Sequence, residues 1–317
     1  MKVGERSPMC KEPLISICIP TRNRIDIVRE TLMSILAQDV DPALFEVCVS
    51  DNSPTDETKE LIEREFGNVP NLIYRKSDCE GFFNSIEALK LGKGKLLKLN
   101  NDYSKFVPGS LLRMIDCVRK YGKERPEIFF ALGAVTCEKE LMEAATFDQF
   151  LNKISYYSTW SSAFSIWKVD FDELMKKQIE LDHMFPHTSL LFALTDKKLY
   201  VVNNLEYVEN QPLKKKGGYN LVDSFVRIYL TMVSELLERK KIGQETYKKI
   251  EHGIIKFTAM WLAIVLLDKR FSFTFENKEM LIEKTCGKLA VWKFYLYFVC
   301  WYYPRLSLKK LILHKVC

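Results

Sequence analysis

Three short polar runs carry most of the chemistry this sequence offers. They are Pro20-Thr21-Arg22-Asn23-Arg24, the stretch from Ser50 through Asp51 to Asp56, and Asn100-Asn101-Asp102. The first brings a hydroxyl, a carboxamide and two guanidinium groups; the second brings two carboxylates among turn residues. The third sets one carboxylate beside two carboxamides. Carboxylates serve metal ligation, recognition of N–H groups or proton transfer, while hydroxyls and amides hold polar ligands. Each run also has a plainer reading. Asp51 and Asp56 can shape a turn or cap a helix, and Asn-Asn-Asp can be a polar turn after a strand.

The elements around these runs give them weight. "LISICI" (14–19), "FEVCVS" (45–50), "NLIYRK" (71–76) and "KLLKL" (95–99) have the apolar character of buried strands. Between the first two, Ile25, Val28, Leu32, Ile35 and Leu36 recur at helical spacing over Arg24 to Gln38. A second helix runs from about Asp56 to Phe66 with acid in its first turn. A third follows Gly81 and ends at Gly92 and Gly94. Strand–helix alternation implies a parallel sheet with right-handed crossovers. Ligands on such sheets bind outside the carboxyl ends of the strands, where all three polar runs fall.

Two nucleotide folds are set aside. No G-x-G-x-x-G follows the first strand, and no G-x-x-x-x-G-K-[ST] occurs, so neither a dinucleotide-binding turn nor a P-loop is present. "PTRNR" suits a nucleoside better than it suits wrapping of a pyrophosphate. Farther on, a helix begins near Pro108, strands are predicted over 127–135, 162–167 and 198–203, and Pro186 opens another helix. "LKKKGGYN" (213–220) is a basic, glycine-rich boundary, and 220–240, 244–268 and 277–303 are predicted helical.

Composition bounds the class. The 317 residues are 47% hydrophobic and 28% charged, ordinary for a globular chain. That length suits one large domain with a smaller one or a helical extension. A net charge of +6 is too mild for a nucleic-acid partner but leaves anionic ligands and lipid surfaces open. Nine scattered cysteines without a Cys-x-x-Cys predict a reduced, cytoplasmic protein with neither disulfide framework nor zinc site. The N-terminus lacks an apolar signal region. The longest apolar runs, 257–267 and 294–303, fall short of the roughly 20 residues of a membrane span, so the chain is expected to stay on one side. The segment 291–315 mixes aromatics with Lys and Arg, as a helix in a headgroup interface does. A helical cap packing its aromatics inward is the alternative.

"LISICIPTRNRIDIVRETLMSILAQ", "FEVCVSDNSPTDET" and "GKGKLLKLNNDYSKFVPGSL" together resemble the opening blocks of family 2 glycosyltransferases of the GT-A fold. The later part is similar to abequosyltransferase-like enzymes of bacterial O-antigen and capsule synthesis. The likeness spans about 14–210 and is strongest over 14–110. It implies an α/β fold, a mixed Rossmann-like sheet flanked by helices, as a catalytic domain over 14–212. Residues 1–13 are then a tail, and 213–317 a helical extension contacting acceptor or membrane.

The resemblance also implies roles. Pro20, Thr21 and Asn23 match the loop that touches the nucleoside, Asp51 the acid that hydrogen-bonds the base, and Asn84 a helix start near the pyrophosphate. Relatives often place Arg before that asparagine; here it is Phe83, leaving Arg75, Lys76 or Lys214–Lys216 to meet donor phosphates. Asn100, Asn101 and Asp102 take the place of the acidic D-x-D, where Mn²⁺ or Mg²⁺ bridges the donor diphosphate. Only Asp102 keeps a carboxylate, so it is the expected metal ligand. No Glu-Asp pair opens the late helix, and His187 or Asp182 is the candidate base. The implied reaction is inverting transfer from a nucleotide-diphospho-sugar to a glycan, a lipid-linked one in surface polysaccharide synthesis. It is placed peripherally on the inner face of the cell membrane. A silent nucleotide-sugar-binding subunit and a nucleotidyltransferase stay open as rivals.

Overall fold

The computed structural model describes residues 12–136, 139–213 and 216–316. Cys10, Cys137, Lys214, Lys215 and Cys317 lie outside them. The chain divides into two compact units: residues up to Glu143 with Trp160–Gln211, and Ala144–Thr159 with everything from Pro212 onward.

The first unit opens as β1 (Ile15–Thr21), α1 (Ile25–Leu36), β2 (Phe45–Asp51), α2 (Glu57–Phe66), β3 (Leu72–Lys76), α3 (Asn84–Leu91) and β4 (Leu96–Leu99). There follow β5 (Ser104–Phe106), α4 (Ser110–Tyr121), β6 (Glu127–Phe130) and β7 (Leu141–Ala144). Then, after α5 (Phe147–Ile154) of the second unit, come β8 (Ser165–Trp167), α6 (Lys168–Lys176), α7 (Pro186–Ala193), β9 (Tyr200–Asn203) and β10 (Val208–Asn210).

The main sheet has the order β3-β2-β1-β4-β8. Its first four strands are parallel and β8 runs antiparallel to β4, so the sheet is mixed. Central parallel strands are covered on both faces, and β1 and β2 are accordingly buried nearly throughout. Ile15, Ile17 and Ile19 enter a cluster with Val28, Leu32 and Ile35 of α1 and Leu111, Met114 and Ile115 of α4. The intervening Ser16 and Cys18 face the other way by the strand's two-residue period, and α3 packs against β1 and β2. Truncating Leu32 in such a core costs about 2–5 kcal/mol. Gly94 is held to glycine by close approach: a Cβ there would stand 2.8 Å from the backbone of Ile15 and Ser16.

Register decides where the site falls. Thr21 pairs with Asp51 and Cys18 with Leu99, so β1, β2 and β4 end side by side. A smaller sheet orders β6-β9-β7, and β5 pairs antiparallel with β10 just beyond the Asn-Asn-Asp turn.

The second unit contains α5, β11 (Lys216–Asn220), α8 (Leu230–Glu238), α9 (Gln244–Leu267), β12 (Phe271–Thr274), α10 (Lys278–Cys286), α11 (Lys288–Tyr297) and α12 (Tyr303–Val316). A π-helical stretch, Asp223–Tyr229, leads into α8, and another, Phe298–Tyr302, joins α11 to α12. In the stretches between the predicted helices, β11 and β12 form a parallel pair that the sequence reading did not include. Rings organise that pair: Tyr219, Phe271, Phe273 and Trp261 of α9 meet with centroids 5.0–6.5 Å apart. Gly287, at φ +85°, breaks the predicted 277–303 helix into α10 and α11. By length and composition alone α9 is able to cross a membrane, but Ile250, Ile254, Ile255, Ala259 and Ala263 are buried within its unit.

Candidate functional site

The ends of β1, β2 and β4 are joined by side chains into one hydrogen-bonded cluster. Thr21 Oγ1 donates to Asp102 Oδ2 at 2.9 Å, and Arg24 Nη1 donates to Asp102 Oδ1 at 2.8 Å. From α1, Thr31 Oγ1 donates to the Asp102 carbonyl at 2.7 Å, fixing the turn from behind. Asp102's side chain is 3% exposed and Arg24's is 36% exposed, so the pair has a buried acidic end and an open basic end. Burial pushes the Asp102 carboxyl upward, while the Arg24 charge and the Arg24 and Thr21 hydrogen bonds pull it down; burial prevails.

Asp51 is fully buried at the end of β2. Its Oδ1 accepts from the Ser53 N–H at 2.9 Å and from the Ser53 hydroxyl, and its Oδ2 from the Tyr74 hydroxyl at 3.0 Å. Burial and then the Asp51 charge raise the Tyr74 phenol, so it stays a donor. Asn23, exposed and in the left-handed region at φ +53°, donates its N–H to Ser53 Oγ at 2.8 Å. That bond ties the first polar run to the second. Pro20 is half-buried in β1 and pairs with Ser50.

Asn84 is a buried clamp. Its Nδ2 donates to Thr21 O at 3.1 Å, Ser50 O at 2.9 Å and Asn52 Oδ1 at 3.2 Å, and its Oδ1 accepts from Ser50 Oγ at 2.7 Å. Asn101 is tied at both ends, to the Tyr103 hydroxyl at 3.0 Å and by Ser161 Oγ at 2.8 Å. Asn100 Nδ2 donates to Asn101 O and Ser104 O, and its buried Oδ1 has no partner among the described residues.

As a cation site this donor set does not fit. A hard divalent ion wants several open oxygens. Here the one carboxylate has both oxygens engaged, Oδ1 by Arg24 and Oδ2 by Thr21, and Asn100 Oδ1 is the buried side-chain oxygen among these described residues without a partner. Among the described residues no three His, Cys, Asp or Glu side chains gather at one place.

The candidate bases lie on and before α7. His187 is 5% exposed, with its ring 6.1 Å from that of Phe164. Phe164 in turn accepts the Leu99 N–H through its carbonyl at 3.1 Å. Asp182 Oδ1 accepts from the N–H groups of Met184 and Phe185 at 2.8 Å each, shaping the turn into the helix. Of the proposed phosphate-facing cations, Arg75 pairs with Glu87 at 2.7 Å and Lys76 with Asp56 at 3.1 Å. Lys216 begins β11, while Lys214 and Lys215 lie outside the described residues.

Arg24, Ser53, Tyr74 and Thr31 join this cluster although no motif in the sequence marks them. Arg24 belongs to the first polar run, but nothing in its spacing announces a partner 78 residues away.

The sequence profile of the glycosyl transferase family 2 matches residues 16–94. Over this stretch the chain is similar to that family. The match covers β1 to the threshold of β4 and so contains two of the three polar runs. The abequosyltransferase RfbV of Salmonella typhimurium is 46% identical over 66 residues, which is 20% of each chain. The chain thus aligns with about a fifth of the length of that relative. In fold it is similar to Staphylococcus aureus TarS 1–349 in complex with UDP-GlcNAc, with a TM-score of 0.56 and 17% identity over 90% of this chain and 81% of that one. It is also similar to the mannosyltransferase PcManGT from Pyrobaculum calidifontis in complex with GDP-Man and Mn²⁺, with a TM-score of 0.50, 13% identity and coverage of 94% and 90%. The α/β architecture, a Rossmann-like mixed sheet with helices and a helical C-terminal extension, is that of the GT-A fold.

Proposed function

We propose that this chain is a glycosyltransferase that moves a sugar from a nucleotide-diphospho-sugar to a hydroxyl of an acceptor glycan. The observation that carries this reading is the fusion of three strand-end polar runs into one cluster at the carboxyl edge of a parallel sheet, within a family 2 stretch. The solved proteins of similar fold were captured with UDP-GlcNAc and GDP-Man, which supports a nucleotide-sugar donor for this chain.

Pro20, Thr21, Asn23 and Asp51 receive the nucleoside. Asp51 does so by exchanging the Tyr74 hydroxyl for a base N–H, a swap of one donor for another that keeps the carboxylate satisfied. Asn84, Asn100 and Asn101 hold the strand ends in place. In the transfer the acceptor oxygen bonds to the anomeric carbon and the bond to the diphosphate breaks, its electron pair leaving with the nucleoside diphosphate. The hydroxyl proton passes to a base, His187 or Asp182, and the anomeric centre inverts.

The acceptor in this reading is lipid-linked glycan of a bacterial surface polysaccharide, met at the inner face of the cell membrane. The second unit supports it through its surface: Leu289, Trp292, Leu296 and Val299 are all exposed, Trp292 at 76%. Their spacing of three, four and three residues puts them on one helical face.

The test is a turnover panel. Purified chain with UDP-, GDP- and CDP-sugars, with and without lipid-linked acceptor, is expected to release nucleoside diphosphate from one donor class. Binding of a donor without release from any of them would favour the silent subunit instead.

A further inference from the structure

A site made of one carboxylate and two carboxamides carries a single negative charge, and Arg24 neutralises it from within hydrogen-bond distance. A dication brought to Asp102 would meet that guanidinium on the same oxygen and would have to expel it. Expelling it would leave a buried carboxylate to be re-paired, which is costly. Thr21 and Thr31 further fix Asp102 in the orientation that serves the arginine.

From this geometry we infer that Arg24 stands where a divalent cation would stand: its guanidinium binds the diphosphate of the donor, and Asp102 is its positioning residue. The inference rests on the nucleotide-sugar reading above and concerns the same site. Arg24 has the chemistry for the task. A guanidinium carries five N–H donors in a planar fork matched to phosphate oxygens, and the Asp102 bond uses one of them. The side chain is 36% exposed, while its anchor is 3% exposed, so the fork faces outward from a fixed base. Tyr103 supports it from the side, with the guanidinium carbon 5.7 Å from the ring centroid. The Asp102 and Arg24 charges cancel, so an incoming diphosphate meets oriented N–H donors with no net negative charge beneath them.

The consequence is donor binding that does not depend on a divalent ion. Isothermal titration of UDP, GDP and CDP into the full chain, in excess EDTA and again in MnCl₂, tests it. One nucleotide is expected to bind with affinities that agree within about threefold in the two buffers, well under a decade. Arg24→Ala is expected to weaken that binding roughly 10- to 100-fold in both buffers, the scale of a charge-assisted hydrogen bond. Arg24→Lys, which keeps the charge but loses the fork, guards against misfolding of the alanine variant and is expected to fall between. Binding that appears with Mn²⁺ and vanishes in EDTA overturns the inference and leaves the proposed function standing. So do Arg24 variants that bind as the wild type does. Binding of none of the three nucleotides in either buffer overturns the proposed function, and this inference with it.

Discussion

Thr21 Oγ1 donates to Asp102 Oδ2 at 2.9 Å, linking the end of β1 to the turn after β4 across 81 residues of sequence. Thr21→Val keeps the shape and removes the donor, leaving a buried carboxylate oxygen short of a partner. Stability is expected to fall by about 1–3 kcal/mol in urea unfolding, and nucleotide affinity to fall with it as Asp102 and Arg24 lose their fixed geometry. An unchanged unfolding midpoint would mean that the hydroxyl does not support the carboxylate.

His187 and Asp182 are separated by what their loss does. If the His187 imidazole takes the acceptor proton, His187→Ala lowers kcat by about 10²–10⁴ and leaves KM near the wild-type value. Asp182→Asn weakens the turn that receives the Met184 and Phe185 N–H groups, so its effect is expected in stability. The reverse pattern, with kcat lost in Asp182→Asn and kept in His187→Ala, would assign the base to Asp182.

Lys98 gives the fold a pH signature. It lies in β4 at 1% exposure, its Nζ donating to Leu99 O at 2.6 Å and to Ser162 O, and burial lowers its pKa to about 7. An exposed lysine titrates near 10.4, so the unfolded chain holds this proton more tightly than the folded one. The stability tied to the neutral amine is therefore complete above pH ~10.4 and is lost as pH falls through about 7. Lys98→Met has no such proton. Wild type is expected to lose stability relative to the variant between pH 10 and pH 7, measured by denaturant unfolding at each pH. Parallel curves would show that the folded chain keeps Lys98 charged.

The exposed face of α11 is expected to act at a lipid surface. Replacing Leu289, Trp292 and Leu296 together by serine removes apolar area that the fold does not bury, so the unfolding midpoint should hold. Co-sedimentation with anionic vesicles should be largely lost, since each buried side chain of this size contributes about 1.5–3 kcal/mol. Loss of folding with unchanged vesicle binding would instead make the segment a structural cap.

Much of the first unit was legible because its strands are short apolar runs closed by polar turns, and because α1 carries its apolar residues at helical spacing and α2 opens with acid. The positions of Thr21, Asp51 and Asp102 at neighbouring strand ends followed from that pattern. What those side chains hold did not. Asn84 at a helix start looks like a residue for solvent or ligand, yet it bonds the carbonyls of Thr21 and Ser50, a demand set by strands distant in sequence. Lys98 lies within the predicted strand "KLLKL", but nothing in that run announces that the Leu99 and Ser162 carbonyls hold its amine. The β11–β12 pair stayed hidden because "KGGYN" has no strand periodicity; its partner strand and the ring cluster supply the order.

The central claim is that the Thr21–Asp51–Asp102 cluster receives a nucleotide-sugar. Hydrogen–deuterium exchange of the full chain with a saturating panel of nucleotide-diphospho-sugars tests it most directly. The account predicts that one donor slows exchange in 20–24, 50–53 and 100–104 together, with the second unit far less affected. Protection confined to other segments, or none with any donor, would contradict it.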